Sequence, residues 1–177
     1  MSLDAGMIFA SDSRTNAGVD HVARFSKMRV FARDGPYMVQ NNIDASANFI
    51  VGGQIQGEAS RLFEVYSEGN FIEATPDTCY FQIGESKYGK PVIDRVVHRG
   101  TSLLDATKCT IVSFDSTMRS NISVGLPIDL LVYETGSLKV ALQRRIQEFD
   151  PYFQMVHHQW GEGLRRVFAQ LPDPDWL

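Results

Sequence analysis

The chain has 177 residues, 44% of them hydrophobic and 21% charged, with a formal net charge of −4. That balance fits one globular domain with its own core and argues against disorder. It offers no basic field for nucleic acid, and no apolar run approaches the roughly 18 residues that span a bilayer. The opening MSLDAGMIFASDS has no basic segment ahead of its apolar stretch, so it is not read as a signal peptide. A cytoplasmic protein without nucleic-acid or membrane partners is the expectation. Cys79 and Cys109 make neither a disulfide framework nor a metal-ligand spacing. They read as inert core thiols, and no metal or cofactor is expected.

Met7 to Ala10 is a short apolar strand that enters a polar turn, SDSRTNAG, whose Asn16 and Gly18 tolerate positive φ. Phe25 to Phe31 reads as a second strand, so the two suggest a hairpin with a long polar connection. Asn48 to Ile55 reads as a buried strand. Its Gly52–Gly53 pair marks a bulge or a close backbone approach. Leu62 to Tyr66, Phe71 to Glu73 and Thr78 to Ile83 continue as a meander of antiparallel strands.

The character then changes. Pro91 suits the first turn of a helix running to about His98. A second helix is expected from Thr101 to about Met118, and a strand over Ile128 to Tyr133. Leu138 to Ile146 alternates like a strand, although its Ala, Gln and Arg content also suits a helix. Asp150 is an N-cap and Pro151 fits the first helical position of the last element. There Phe153, Val156, Trp160, Leu164, Val167 and Leu171 recur at three- and four-residue spacing, so one face should be buried. Strand runs separated by helix runs indicate an α+β layered domain spanning residues 1–177.

Few residues stand out for chemistry. Asp12 lies just after the first strand and Lys27 in the second, so the hairpin can bring them together. A lysine beside a carboxylate can hold a tuned ammonium near a nucleophile. On spacing alone, a surface Asp–Lys pair is the commoner arrangement. Ser86 follows Gly84 in a turn, and turn chemistry accounts for it without function. Asp115, Ser116, Arg119, Ser120 and Asn121 crowd the end of a helix, where capping is the plain explanation and a site the sharper one. His157 and His158 are adjacent on a helix and point about 100° apart, which is not a two-ligand metal site. His21 and His98 have no partner at ligand spacing. Lys87 and Lys90 lack the glycine pattern of a phosphate loop.

Longer strings carry more. SDSRTNAGVDHVARFSKM, NFIVGGQIQGE, IGESKYGKPVIDR, SFDSTMRSNISVGLPIDLLVY, DPYF and PDPDWL succeed one another in this order. Together they resemble the bacterial proteasome-type protease family Anbu (ancestral β subunit), which is similar to the proteasome β subunit and to HslV. The resemblance covers nearly the whole chain. It implies a four-layer αββα sandwich of the N-terminal-nucleophile hydrolases and a homo-oligomer, as a ring or an open spiral. It implies a threonine-type peptidase in which an N-terminal Thr hydroxyl attacks an amide carbonyl of a peptide substrate. The free α-amine, with a pKa of about 7.7–8.0, serves as base.

Carried across on the matching strings, Asp12 in SDSR corresponds to the family's catalytic Asp and Lys27 in FSKM to its catalytic Lys. Ser86 corresponds to the serine near the N-terminal amine. Asp115 and Ser120 correspond to the downstream pair that orients that amine. Two departures stand beside these matches. Family members begin with a Met-Thr-Tyr-Cys-like start and a longer first strand, whereas here LDAG begins at Leu3. Ser2, the hydroxyl nearest the start, is therefore about six residues out of register with the family threonine, or about 20 Å. The family also carries a further stretch of roughly 60 residues, half a domain by size, where here Gly35 meets Pro36. The expectation is a peptidase by ancestry that is inactive as it stands, with part of its inner sheets missing. The alternatives are a non-catalytic self-assembling scaffold and an amidase for small peptide or γ-glutamyl substrates.

Overall fold

The computed structural model describes residues 1–16, 22–24, 26–30 and 47–176. In chain order the elements are β1 (Ser2–Leu3), β2 (Gly6–Asp12), β3 (Arg14–Asn16), β4 (Val22–Arg24), β5 (Phe49–Gly53), β6 (Arg61–Val65) and β7 (Phe71–Glu73). Then come α1 (Lys90–Val96), α2 (Leu103–Ser120), β8 (Ile128–Glu134), β9 (Val140–Ile146) and α3 (Pro151–Ala169). The α+β class and the expected order of strands, two helices, strands and a helix are both present.

The main sheet runs β1-β2-β8-β9 and is antiparallel throughout. Its spine is the seven-residue ladder from Gly6 opposite Glu134 to Asp12 opposite Ile128. Alternation along these strands sorts the side chains between two faces. Ile8, Ile128, Leu130, Val132 and Ile146 point to one face, where they meet Ala106, Ile111 and Val112 of α2 and Phe153 and Val156 of α3. Burial of a side chain of this size is worth about 1.5–3 kcal/mol, so this seam is the main source of stability.

On the other face lies the meander β5-β6-β7. Phe9 of β2 reaches Gly52 so closely that a Cβ there would stand 2.6 Å from its ring and 2.9 Å from Leu62. The expected close approach is therefore real, and the regular register through Gly52 and Gly53 shows no bulge. Tyr133 of β8 donates to Gln54 Oε1 across the same interface, 2.6 Å.

Local chemistry accounts for the helix ends. Ser102 caps α2 by accepting from the Asp105 N–H, and Asp150 caps α3 by accepting from those of Tyr152 and Phe153. Pro91 and Pro151 occupy the first turns of α1 and α3. Arg144 reaches the Asp150 cap at 2.6 Å. Burial pushes the Asp150 carboxyl up, but the Arg144 bond and the two cap N–H groups outweigh it, and its pKa ends below the usual value.

Several expectations need correction. The second hairpin strand is Val22–Arg24, while residues 26–30 run without a ladder. Met28 and Val30 share a face there, but Val30 is 45% exposed, so that face finds little cover. Asp12 is the last residue of β2 rather than a turn residue. Thr78 to Ile83 forms no strand. It docks by isolated bonds instead, the Cys79 carbonyl accepting from the Ser2 N–H at 2.7 Å and the Tyr80 hydroxyl bonding Asp94 and Lys90 of α1. Strand β5 is not buried, for Phe49 and Val51 are 58% and 52% exposed. No helix among the described residues covers that outer face. The apolar stripe of α3 is buried at Phe153 and Val156 but emerges at Leu164, Val167 and Leu171. It outruns the surface that covers it. Leu138–Ile146 resolves as a strand, and the strand β1 is additional to those expected. The expected shortening at Gly35–Pro36 lies outside the described residues, as do Gly18, His21, Phe25 and Phe31.

The position of a residue on α2 sets the cost of truncating it. Ile111→Ala, in the seam between α2 and the sheet, should lower unfolding free energy by about 2–5 kcal/mol, whereas Leu104→Ala on the exposed side of α2 should change it by about 0.5 kcal/mol or less. Urea titration of both variants distinguishes them. Cys79 and Cys109 are buried, and burial pushes the Cys109 thiol up to about 11. A chromogenic disulfide reagent at pH 8 should label neither until the chain is unfolded.

Candidate functional site

The end of β2 gathers the strongest candidates. Asp12 Oδ1 accepts from Lys27 Nζ at 2.7 Å. The carboxylate side chain is 15% exposed and the lysine 36%. The antiparallel hairpin of β3 and β4 lies between the two residues in sequence and returns the chain to Asp12. This is the contact expected of such a hairpin. The partly covered pair is oriented, yet its ammonium stays within reach of solvent.

Ser2 is elsewhere. It pairs with Met7 in β1, five residues along β2 from Asp12, or about 16 Å. Its side chain is 2% exposed. At that distance along the strand, Ser2 lies away from the Asp12–Lys27 pair. The α-amine of Met1 is buried and donates to Ile8 O at 2.7 Å, and burial lowers its pKa from 8.0 to about 5.

Ser86 sits in the turn after Gly84, its carbonyl accepting from the Lys90 N–H at the start of α1. The turn is pressed onto α2. A Cβ on Gly89 would lie 2.3 Å from Ser113 Oγ and 2.7 Å from Thr117 Oγ1. Glu85 ties the same turn to the end of α2. Its Oε2 accepts from Asn121 Nδ2 and its Oε1 from the Lys87 N–H, both at 2.8 Å. The Lys87 N–H, and after it Asn121, holds the Glu85 carboxyl below its ordinary pKa. Asn121 Oδ1 in turn accepts from the backbone and hydroxyl of Ser123. Sequence reasoning passes over Glu85 and Ser123. The readable signal is Asn121 just past a helix, where an Asn side chain commonly organises the turn.

Asp115 and Ser120 do not meet. Five residues apart on a helix, they point about 140° from one another. Asp115 is buried against α3, 2.5 Å from His157 Nδ1, and so fastens two helices together. Ser120 is exposed at the last turn of α2. It lines an open groove of about 610 Å³ with Met118, Asn121, Leu126, Pro127 and Gln147. Pro127 and Gln147 adjoin Ile128 and Ile146, the residues aligned with Asp12, so the groove opens at the same end of the sheet. Among the described residues, no group of three or more His, Cys, Asp or Glu could hold a metal, and no helix is long and apolar enough to cross a membrane.

No protein-family model and no curated protein matches the chain. Solved structures do. Anbu (ancestral beta-subunit) from Yersinia bercovieri aligns with a TM-score of 0.91 and 41% identity, over 99% of this chain and 97% of that one. The chain belongs to the Anbu family. Anbu from Hyphomicrobium sp. strain MC1 aligns with a TM-score of 0.89 and 37% identity, over 98% of this chain and 97% of that one. The helical assembly of the Anbu complex from Pseudomonas aeruginosa gives 0.89 and 39%, over 98% and 96%. The resemblance read from the sequence strings is thus shown in three dimensions.

The buried α-amine generates a pH prediction for a chain that keeps Met1. Its folded pKa lies below its unfolded one, so folding disfavours the proton. Stability should be lowest below pH 5, rise between pH 5 and 8, and level off above 8. The full change is on the order of 4 kcal/mol. Urea midpoints at pH 5.5 and 8.0 measure it, and equal midpoints would contradict it.

Proposed function

We propose that this Anbu-family chain carries a proteasome-like, N-terminal-nucleophile peptidase site built on a four-layer αββα sandwich. The observation behind the proposal is the 2.7 Å Asp12–Lys27 bond at the end of the central ladder. In this chemistry a terminal hydroxyl attacks the amide carbonyl while its own α-amine takes the proton and passes it to the departing amine as the C–N bond breaks, and water then hydrolyses the ester left on the hydroxyl. A fixed ammonium beside that hydroxyl stabilises developing negative charge, and a carboxylate behind the ammonium holds it in place. Lys27 and Asp12 fill these two roles. Ser86 stands as the neighbour of the amine, and Asp115 and Ser120 remain downstream candidates, now as separate residues. The site needs no cofactor. The groove beside Ser120 offers room for an extended peptide.

Assembly belongs to the same reading. The Pseudomonas aeruginosa relative is described as a helical assembly, and we read this chain as a homo-oligomer, a ring or an open spiral. A second reading, a self-assembling scaffold without catalysis, is favoured by one observation. Ser2 is buried and about 16 Å along the strand from Asp12.

The protein isolated from its native source decides between them. Its intact mass and first residue are determined, and it is treated with a peptide epoxyketone, which bonds to a hydroxyl and a free α-amine together. The peptidase reading expects a labelled N-terminal Thr in register with Asp12, with labelling lost in Lys27→Ala while the oligomer survives. An unlabelled protein whose first residue is out of that register establishes the scaffold. Turnover of small γ-glutamyl amides alone points to an amidase.

A further inference from the structure

Asp12 closes a strand, and strand ends fray. The residue after Asp12 therefore decides where its carboxylate stands. That residue, Ser13, is fully buried. Its N–H donates to Pro127 O at 3.1 Å. Its Oγ accepts from Arg145 Nη2 at 3.2 Å. Arg145 comes from β9, two strands away, and is itself held. Its Nη1 donates to Asp129 Oδ1 and Oδ2 at 3.0 and 3.2 Å. Asp129 lies on β8, between the other two strands. The ladder sets Ser11 opposite Asp129 and Asp129 opposite Arg145, so the three form one row across the sheet.

We infer that Arg145 and Asp129 are positioning residues that hold Asp12 in place to orient Lys27. The inference rests on the reading of Asp12–Lys27 as the working pair. Asp12 is fixed between two anchors, its ladder pairing with Ile128 and the clamp on Ser13. The next residue of a strand stands about 3.3 Å away. Slippage of even that size would carry the carboxylate out of hydrogen-bond reach of Lys27. The planar fork of an arginine suits this task, because it engages a carboxylate and a hydroxyl at once from different nitrogens. A lysine in its place keeps a positive charge beside Asp129 but cannot hold both groups in fixed directions. The Arg145 and Asp129 bonds described above run to each other and to Ser13, not to Lys27, and the family resemblance gives neither a role.

The test watches Lys27 directly, without requiring turnover. The chain has five lysines, so reductive ¹³C-methylation gives a small NMR spectrum in which Lys27→Arg identifies the Lys27 signal. Asp12→Asn marks the position of a broken pair. Arg145→Met and Asp129→Asn should move the Lys27 signal more than half-way to that position. Arg145→Lys should fall between them and the unaltered protein. A folded Arg145→Met with its Lys27 signal unmoved overturns the inference. If Arg145→Met does not fold, Ser13→Ala removes the clamped hydroxyl alone, and an unmoved signal there overturns it equally. If Asp12→Asn itself leaves Lys27 unmoved, it is the pair that fails, which is a different result from failure of the clamp alone.

Discussion

The ladder between β2 and β8 is the constraint on which the rest of this molecule depends. Seven consecutive pairings fix which side chains face the helices and which face the meander. A slip of one residue would exchange the two sets completely. It would expose Ile8 and Leu130 and drive Phe9 into the helical layer. It would also shift Asp12 along the strand by more than the length of its bond to Lys27. Core and candidate site are thus specified by one register. The helices are then set by chemistry at their own ends and by the apolar seam that the sheet presents to them.

Much of this is legible in the amino-acid sequence. Periodicity finds α2 and α3, and the Asp150–Pro151 pair marks the start of α3 to the residue. The glycine pair in β5 announces a backbone approach, since one of its members has no room for a side chain beside Phe9. The elements that read differently in the fold share a physical cause. Alternation over Thr78–Ile83 reports a half-buried extended segment, and such a segment can dock by isolated bonds instead of a ladder. An apolar stripe reports what could be buried, not how far its partner extends, so the exposed end of α3 has no signature in its own sequence.

The site divides in the same way. Asp12 and Lys27 are recoverable because a hairpin is a local device that joins residues close in sequence. Asp115 escapes its expected place because its partner, His157, lies on another helix, and no local pattern links them. Ser13, Asp129 and Arg145 are hidden for the same reason. Their contacts join three strands through pairings that only the folded register defines. Glu85 and Ser123 sit in ordinary turn sequences, and only their convergence on Asn121 distinguishes them.

The wide separation of β2 and β8 in sequence has a consequence for how the chain is made. Strand β2 leaves the ribosome early, while the strand that completes its ladder arrives more than a hundred residues later. At about 5–20 residues per second, the wait is roughly 5 to 20 seconds. Throughout that time the β1–β2 segment holds unpaired backbone groups and apolar side chains on both faces. Among the described residues, the two-residue strand β1 is its local partner. A nascent chain of this topology therefore depends, until β8 appears, on whatever shields that segment from its neighbours.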